Sequence, residues 1–276
     1  MAASDYEKRG TAGFCPIGYL GAPLTAQAAS MQIVGFRAVG EDDLSAGMGV
    51  MIGDEILRLE SIVLPTLAIK RGAADTIPAA HAAGSEVWFF TDSAVGDERE
   101  YLATDTIGVK LLPFSASSGA VPIDYAPPMS VTFNWRAFRP YPPGNVKVNG
   151  DHFALAAHDL PDDTDEFVVT WAHRDRLTQA DQLIGHEQGS IGPEVGTSYT
   201  VRVYDDSNTL VRTVVGITGT SFVYTGVMLD EDEPAAKRVR LELCSMRDGL
   251  ESLQKYSIVL RRAGGLGESL GENLGG

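Results

Sequence analysis

Hydrophobic and polar positions alternate most cleanly in the second half of the chain. Tyr199, Val201 and Val203 fall on one face of a segment whose other face carries Arg202 and Tyr204. Val239, Leu241 and Leu243 alternate in the same way with Arg238, Arg240 and Glu242. A period of two is what a half-buried strand requires, because successive side chains point to opposite faces of the sheet. The same reading gives strands at Val146–Val148, Phe167–Trp171, Ser198–Tyr204, Leu210–Val215, Ser221–Tyr224, Arg238–Met246 and Gln254–Arg261. Asp205-Asp206-Ser207-Asn208 and Arg247-Asp248-Gly249 supply turn residues between them. Roughly seven strands in roughly 115 residues, with an inward Trp171 on the second and no cysteine pair around it, predict a fibronectin-III-like sandwich over 145–262.

The first half is less regular. Gly49–Ile52 and Glu55–Glu60 flank a Gly53-Asp54 turn and read as a β-hairpin. Leu67–Lys70, Glu86–Phe90 and a strand near Val109–Leu112 complete a small barrel or sandwich over 31–114, with a helical turn expected at Pro78–Ala83 in the loop 73–84. Residues 115–144 carry a serine run and Pro122, Pro127, Pro128, Pro140, Pro142 and Pro143, so they read as a stiff connector, with Trp135 and Phe138 stapling it to a domain. Residues 1–30 read as an extended arm and 263–276 as a glycine-rich tail. The fold class expected is therefore all-β: a small barrel or sandwich followed by a fibronectin-III/Ig-like sandwich.

Composition narrows the function classes. The chain has 276 residues and is 44% hydrophobic, enough for each half to bury a core. Its formal net charge of −15 argues against nucleic acid, whose recognition needs clustered Lys and Arg, and against anionic membranes. No apolar stretch approaches the ~20 residues of a membrane span, and the polar first ten residues do not resemble a secretory signal. These features predict a chain made in the cytoplasm without membrane insertion. Cys15 and Cys244 lie too far apart to suggest a disulfide framework and are expected as free thiols.

Chemistry-bearing patterns are sparse. His81, His152, His158, His173 and His186 form no H-x-H or H-E-x-x-H spacing, and each reads as a surface or turn residue. No nucleophile elbow, phosphate loop or dinucleotide fingerprint occurs. The acidic runs around Pro161 (Asp159, Asp162, Asp163, Asp165, Glu166) and before Pro234 (Asp230 to Glu233) lack the alternate spacing of a calcium loop and read as solvated loops. No cofactor and no catalysis are expected. Alternate loops gather at one end of a sandwich, which makes His173, Arg174, Asp175 and Arg176, with Met246, Arg247, Asp248 and Gly249, the candidate partner-contact loops.

Several longer strings carry a family resemblance. Arg139–Asn145, Val169–Arg176, Gly196–Arg202, Thr218–Tyr224 and Arg247–Gln254 resemble the C-terminal sandwich of tail-tip proteins from long-tailed bacteriophages and proteobacterial gene transfer agents. Met51–Ile56 and Arg71–His81 resemble the β domain that precedes that sandwich in the same proteins. The likeness spans most of 45–262. Two departures stand out: relatives are often longer, with hub domains upstream, and they tend to carry Trp where this chain has Leu253. The resemblance implies a virion component of a tail tip or baseplate. It implies hub and baseplate proteins as partners, three- or six-fold copies of itself, and a host surface receptor as a further contact. The alternative is a receptor- or carbohydrate-binding module using exposed aromatics such as Tyr204 or Tyr256.

Overall fold

The computed structural model describes residues 6–37, 44–90, 96–161, 164–180 and 182–262. Its backbone divides into two compact units, one formed by 1–14 with 91–138, the other by 15–90 with 139–276. The expected 263–276 tail lies outside the described residues.

The larger unit opens with a closed antiparallel barrel. Its strands are β1 (Ile17–Leu20), β2 (Ser30–Arg37), β3 (Gly49–Ile52), β4 (Glu55–Val63), β5 (Thr66–Lys70) and β6 (Glu86–Phe90), hydrogen-bonded in the order β1-β2-β5-β4-β3-β6 with β6 closing on β1. The β3–β4 hairpin turns at Gly53-Asp54 as expected, Ile52 pairing with Glu55 and Gly53 adopting the left-handed φ of +56° that a tight turn needs. Val50, Ile52, Leu57, Leu59, Leu67, Val87 and Phe89 are fully buried inside. Each contributes about 1.5–3 kcal/mol relative to exposure. Three expectations are corrected here. The arm expected over 1–30 supplies β1 from residue 17. The strand near Val109–Leu112 does not close the barrel. Pro78–Ala83 stays extended rather than helical, and His81 bridges to Leu24.

The described residues of the smaller unit carry four short strands: β7 (Thr106–Val109), β8 (Phe114–Ser115), β9 (Gly119–Ala120) and β10 (Met129–Thr132). β7 pairs only with β10, and β8 only with β9. The segment read as a connector is therefore half of a β-ribbon. Among the described residues of this unit only Ala126 is buried. Trp135 and Phe138, expected to staple this segment to a domain, stack edge to face on each other, with ring centroids 5.4 Å apart, and remain exposed.

The rest of the larger unit is a two-sheet sandwich. One sheet runs β12 (Asp151–His152), β11 (Gly144–Val148), β14 (Glu166–Ala172), β17 (Ser221–Thr225). The other runs β13 (His158–Asp159), β20 (Tyr256–Arg261), β18 (Arg238–Arg247), β15 (Ser198–Tyr204), β16 (Leu210–Ile217), with β19 (Leu250–Glu251) folded back on β18. Two packed sheets, antiparallel throughout except for the short parallel β13–β20 pairing, make a fibronectin-III-like arrangement. The period-two faces point inward as expected: Tyr199, Val201 and Val203 meet Val239, Leu241 and Leu243, with Trp171 edge-on to Tyr199. The second acidic run differs from expectation. Residues Gly226–Asp232 form helix α1, whose first turn is capped by the Thr225 hydroxyl accepting from the Met228 amide. Carboxylates at a helix C-terminus oppose its dipole. Asp232 offsets this by accepting two hydrogen bonds from Arg212 and one from the Tyr224 hydroxyl.

Candidate functional site

The two candidate loops do meet, through a residue that sequence reasoning did not single out. Arg176, beyond the end of β14, and Arg247, at the end of β18, each approach the carboxylate of buried Glu194 to 3.0 Å. Arg247 also donates to the Val195 carbonyl at 3.2 Å. Asp175 organises a turn by accepting from the Leu177 and Thr178 amides and the Thr178 hydroxyl. These bonds hold its carboxyl below the ordinary aspartate range even though partial burial pushes the other way. His173 hydrogen-bonds the Tyr199 hydroxyl at 2.7 Å, and desolvation lowers its pKa. Among the residues this end offers to solvent are Leu177, Thr178, Val195, Gly196, Asp248 and Gly249. Met246 and Arg247 are half-buried.

Arg174 is a correction. Only 4% exposed, it is no surface contact. It donates to Gln179 Oε1 at 3.2 Å and to the carbonyls of Ala74 and Ile184 at 3.1 and 3.3 Å, and its guanidinium faces the Tyr141 ring. It therefore ties the sandwich to the segment that leaves barrel strand β5. Tyr256 is corrected as well. It is fully buried, its hydroxyl bonded to the Pro143 carbonyl at 2.7 Å, and it cannot touch a glycan. Tyr204 is half-buried and covered by the Arg240 guanidinium 3.9 Å from its ring centre.

The strings Met51–Ile56 and Arg71–His81 converge on one buried carboxylate. Glu55, 1% exposed, accepts from Arg71 Nε at 2.8 Å and Arg71 Nη2 at 2.7 Å. It also accepts from the Gly72 and Ala79 amides, each at 3.0 Å, and lies 2.8 Å from His81 Nε2. Burial alone would raise its pKa. The His81 and Arg71 hydrogen bonds and the Arg71 charge outweigh it and hold the group below its ordinary value. Arg71 further donates to the Thr25 and Ala79 carbonyls. Both Glu55 carboxylate oxygens are engaged, so this network fixes the 71–81 segment.

The histidines depart most from expectation. His158 and His186 are buried, at 4% and 2% exposed. Desolvation is the main cause that lowers the pKa of each, His186 to about 3. His152, His186 and Glu187 each present one potential ligand atom within 4.8 Å of the others, the only such grouping among the described residues. No sequence spacing announces it, because His152 lies 34 positions before His186 and the fold alone joins them. Cys15 and Cys244 are free, as expected. Cys244 is buried in β18, where desolvation raises its thiol to about 11.

Taken together, the fold defines an all-β protein with a fibronectin-III-like sandwich. No family model matches the chain, and no curated protein matches it. Among solved structures it is similar to the FN1–FN3 domains of chicken CNTN1, at 11% identity and a TM-score of 0.25, covering 86% of this chain and 65% of that one. It is also similar to the BSP domain of a biofilm-associated protein, at 12% identity and a TM-score of 0.22, covering 90% and 30%. The chain thus spans less than two thirds of either structure. Superpositions this loose carry no functional argument.

Proposed function

We propose that this chain is a non-catalytic structural protein of a phage tail tip or baseplate, acting by association with neighbouring subunits. One observation supports the reading above the others. The described residues of the unit formed by 1–14 and 91–138 expose Phe114 and Val131 on short two-stranded ribbons and Leu102, Leu111, Tyr125, Trp135 and Phe138 in the segments around them, with almost no core. A two-stranded ribbon is at best marginally stable in water, and its unpaired edges template further pairing. Such a segment is accounted for when other subunits cover it. Hub and baseplate proteins and symmetry-related copies of this chain are the partners of this reading, and the virion is its location. The resemblance of 45–262 to tail-tip proteins supplies the biological setting.

The test is immunogold electron microscopy on phage particles from the source, with antiserum against 145–262, paired with mass spectrometry of the same particles. Gold at the distal tail end and peptides from this chain are expected. Unlabelled, intact particles lacking those peptides would sink the proposal.

A further inference from the structure

His152 lies on β12 of the sandwich. Its main chain pairs with Lys147 in β11, and its ring stacks on Phe153 with centroids 4.5 Å apart. His186 comes from the long connection between β14 and β15. Its backbone is pinned on both sides, the amide donating to the Arg71 carbonyl at 2.8 Å and the carbonyl accepting from the Asn145 amide at 2.7 Å. Two elements far apart in sequence thus hold two imidazoles with ring centroids 5.6 Å apart. The polar balance there is incomplete. His152 Nε2 and His186 Nδ1 are buried without a hydrogen-bond partner, and His186 Nε2 has only a long contact, 3.7 Å, with Glu187 Oε1. A buried polar atom left unpaired costs about 1–3 kcal/mol, so a native protein tends to satisfy it.

We propose that His152, His186 and Glu187 bind one divalent transition-metal ion of the zinc class, closing the seam between barrel and sandwich. Two imidazoles and a carboxylate suit such an ion, whereas calcium and magnesium require mostly oxygen ligands. Glu187 is 64% exposed, so its side chain is free to swing onto the ion and bring the negative charge the rings lack. Arg71 lines a small cavity together with His186 and Glu187, but its charge is already matched by Glu55. Arg174 is satisfied by carbonyl and amide oxygens rather than by a carboxylate, so its charge tempers the affinity. Coordination through His152 Nε2 requires the ring proton to move to Nδ1, which exchanges the Ala154 amide contact at 3.2 Å for the metal bond. Three protein ligands leave a fourth position for water.

The alternative is a purely aromatic cluster, with His186 edge-on to Phe153 and His152. The two separate experimentally. Untagged full-length protein is stripped with chelator and titrated with Zn2+ by calorimetry, and with Co2+ by visible absorption. One ion per chain is expected, with tetrahedral Co2+ bands and a melting temperature that rises with Zn2+ concentration, because a ligand that binds only the folded state stabilises it. Glu187→Gln weakens binding on the order of tenfold or more, and His152→Phe abolishes it. Both alter partly exposed side chains, so they keep the test intact if His186→Ala fails to fold. Absence of a stoichiometric ion, or Zn2+ affinity unchanged in both Glu187→Gln and His152→Phe, overturns the proposal.

Discussion

The sandwich and the ribbon unit are built from similar residues to opposite ends. In the sandwich Tyr199, Tyr224, Phe167 and Leu241 are sealed from water, and the strands that carry them pair on both sides or back onto the opposite sheet. In the ribbon unit Phe114, Tyr125, Val131 and Trp135 are exposed, although Val131 sits in a properly registered strand pairing with Ile107. Regular pairing is therefore not what distinguishes the two. The sandwich has a second layer to bury its apolar face against, and the ribbon has none among the described residues of its own unit. Surface that a free-standing protein would hide is the part most naturally assigned to assembly.

Substitutions turn this contrast into measurements. The largest effect is expected from Glu55→Ala, which strands the buried Arg71 guanidinium and costs about 3–5 kcal/mol in urea unfolding. The same carboxylate makes stability pH-dependent. Its folded pKa lies below the ordinary 4.5, so its contribution is complete above that value and is lost as pH falls through the folded value. Glu55→Gln should flatten that acid slope in melts recorded across the range, and an unchanged slope would remove Glu55 from the account. Leu241→Ala opens a cavity in the sealed sandwich core and should cost about 2–5 kcal/mol. Glu194→Ala should cost less, about 1–3 kcal/mol, while raising amide exchange in the loops around Arg176 and Arg247 that share it. Phe114→Ser and Val131→Thr sit at the bottom of the scale, within about 0.5 kcal/mol for the isolated chain. On the proposed assembly role, their effect should appear instead as reduced incorporation into particles. A large loss of intrinsic stability from either would mean that the ribbon has a core of its own.

How much of this was legible depended on how local the cause was. The sandwich strands could be read because a sheet with one buried face writes a period of two directly into the chain, as at Ser198–Tyr204, whose bounds matched. Helix α1 was missed because Asp230 to Glu233 look like a solvated run. The usable signal was Thr225 ahead of Val227, Met228 and Leu229, a capping residue before an apolar turn. β1 was missed because four residues between Pro16 and Gly21 give too short a pattern. The burial of Glu55, Arg174 and His186 had no local signature at all. Glu55 is enclosed by barrel closure and the 71–81 segment, Arg174 by carbonyls about 100 positions earlier and 10 later, and His186 by β11, β12 and β5. His173–Arg176 looks like one exposed turn, yet its second residue turns inward while its neighbours face the loop cluster.

The segment that runs from Arg71 to His81 is claimed by two cores at once. Arg71 and Thr76 are locked to the barrel, while Ile77 packs against the sandwich interior and gives its amide to Gln254, whose own amide reaches back to the Asp54 carbonyl. An exchange of genetic material that replaced 139–262 alone would discard the acceptor for Ile77 and the guanidinium of Arg174 while keeping the groups they serve. Fibronectin-like folds are often pictured as beads that can be restrung. Here the barrel and the sandwich share the groups that hold them, so a crossover between them would separate partners that the fold brings together.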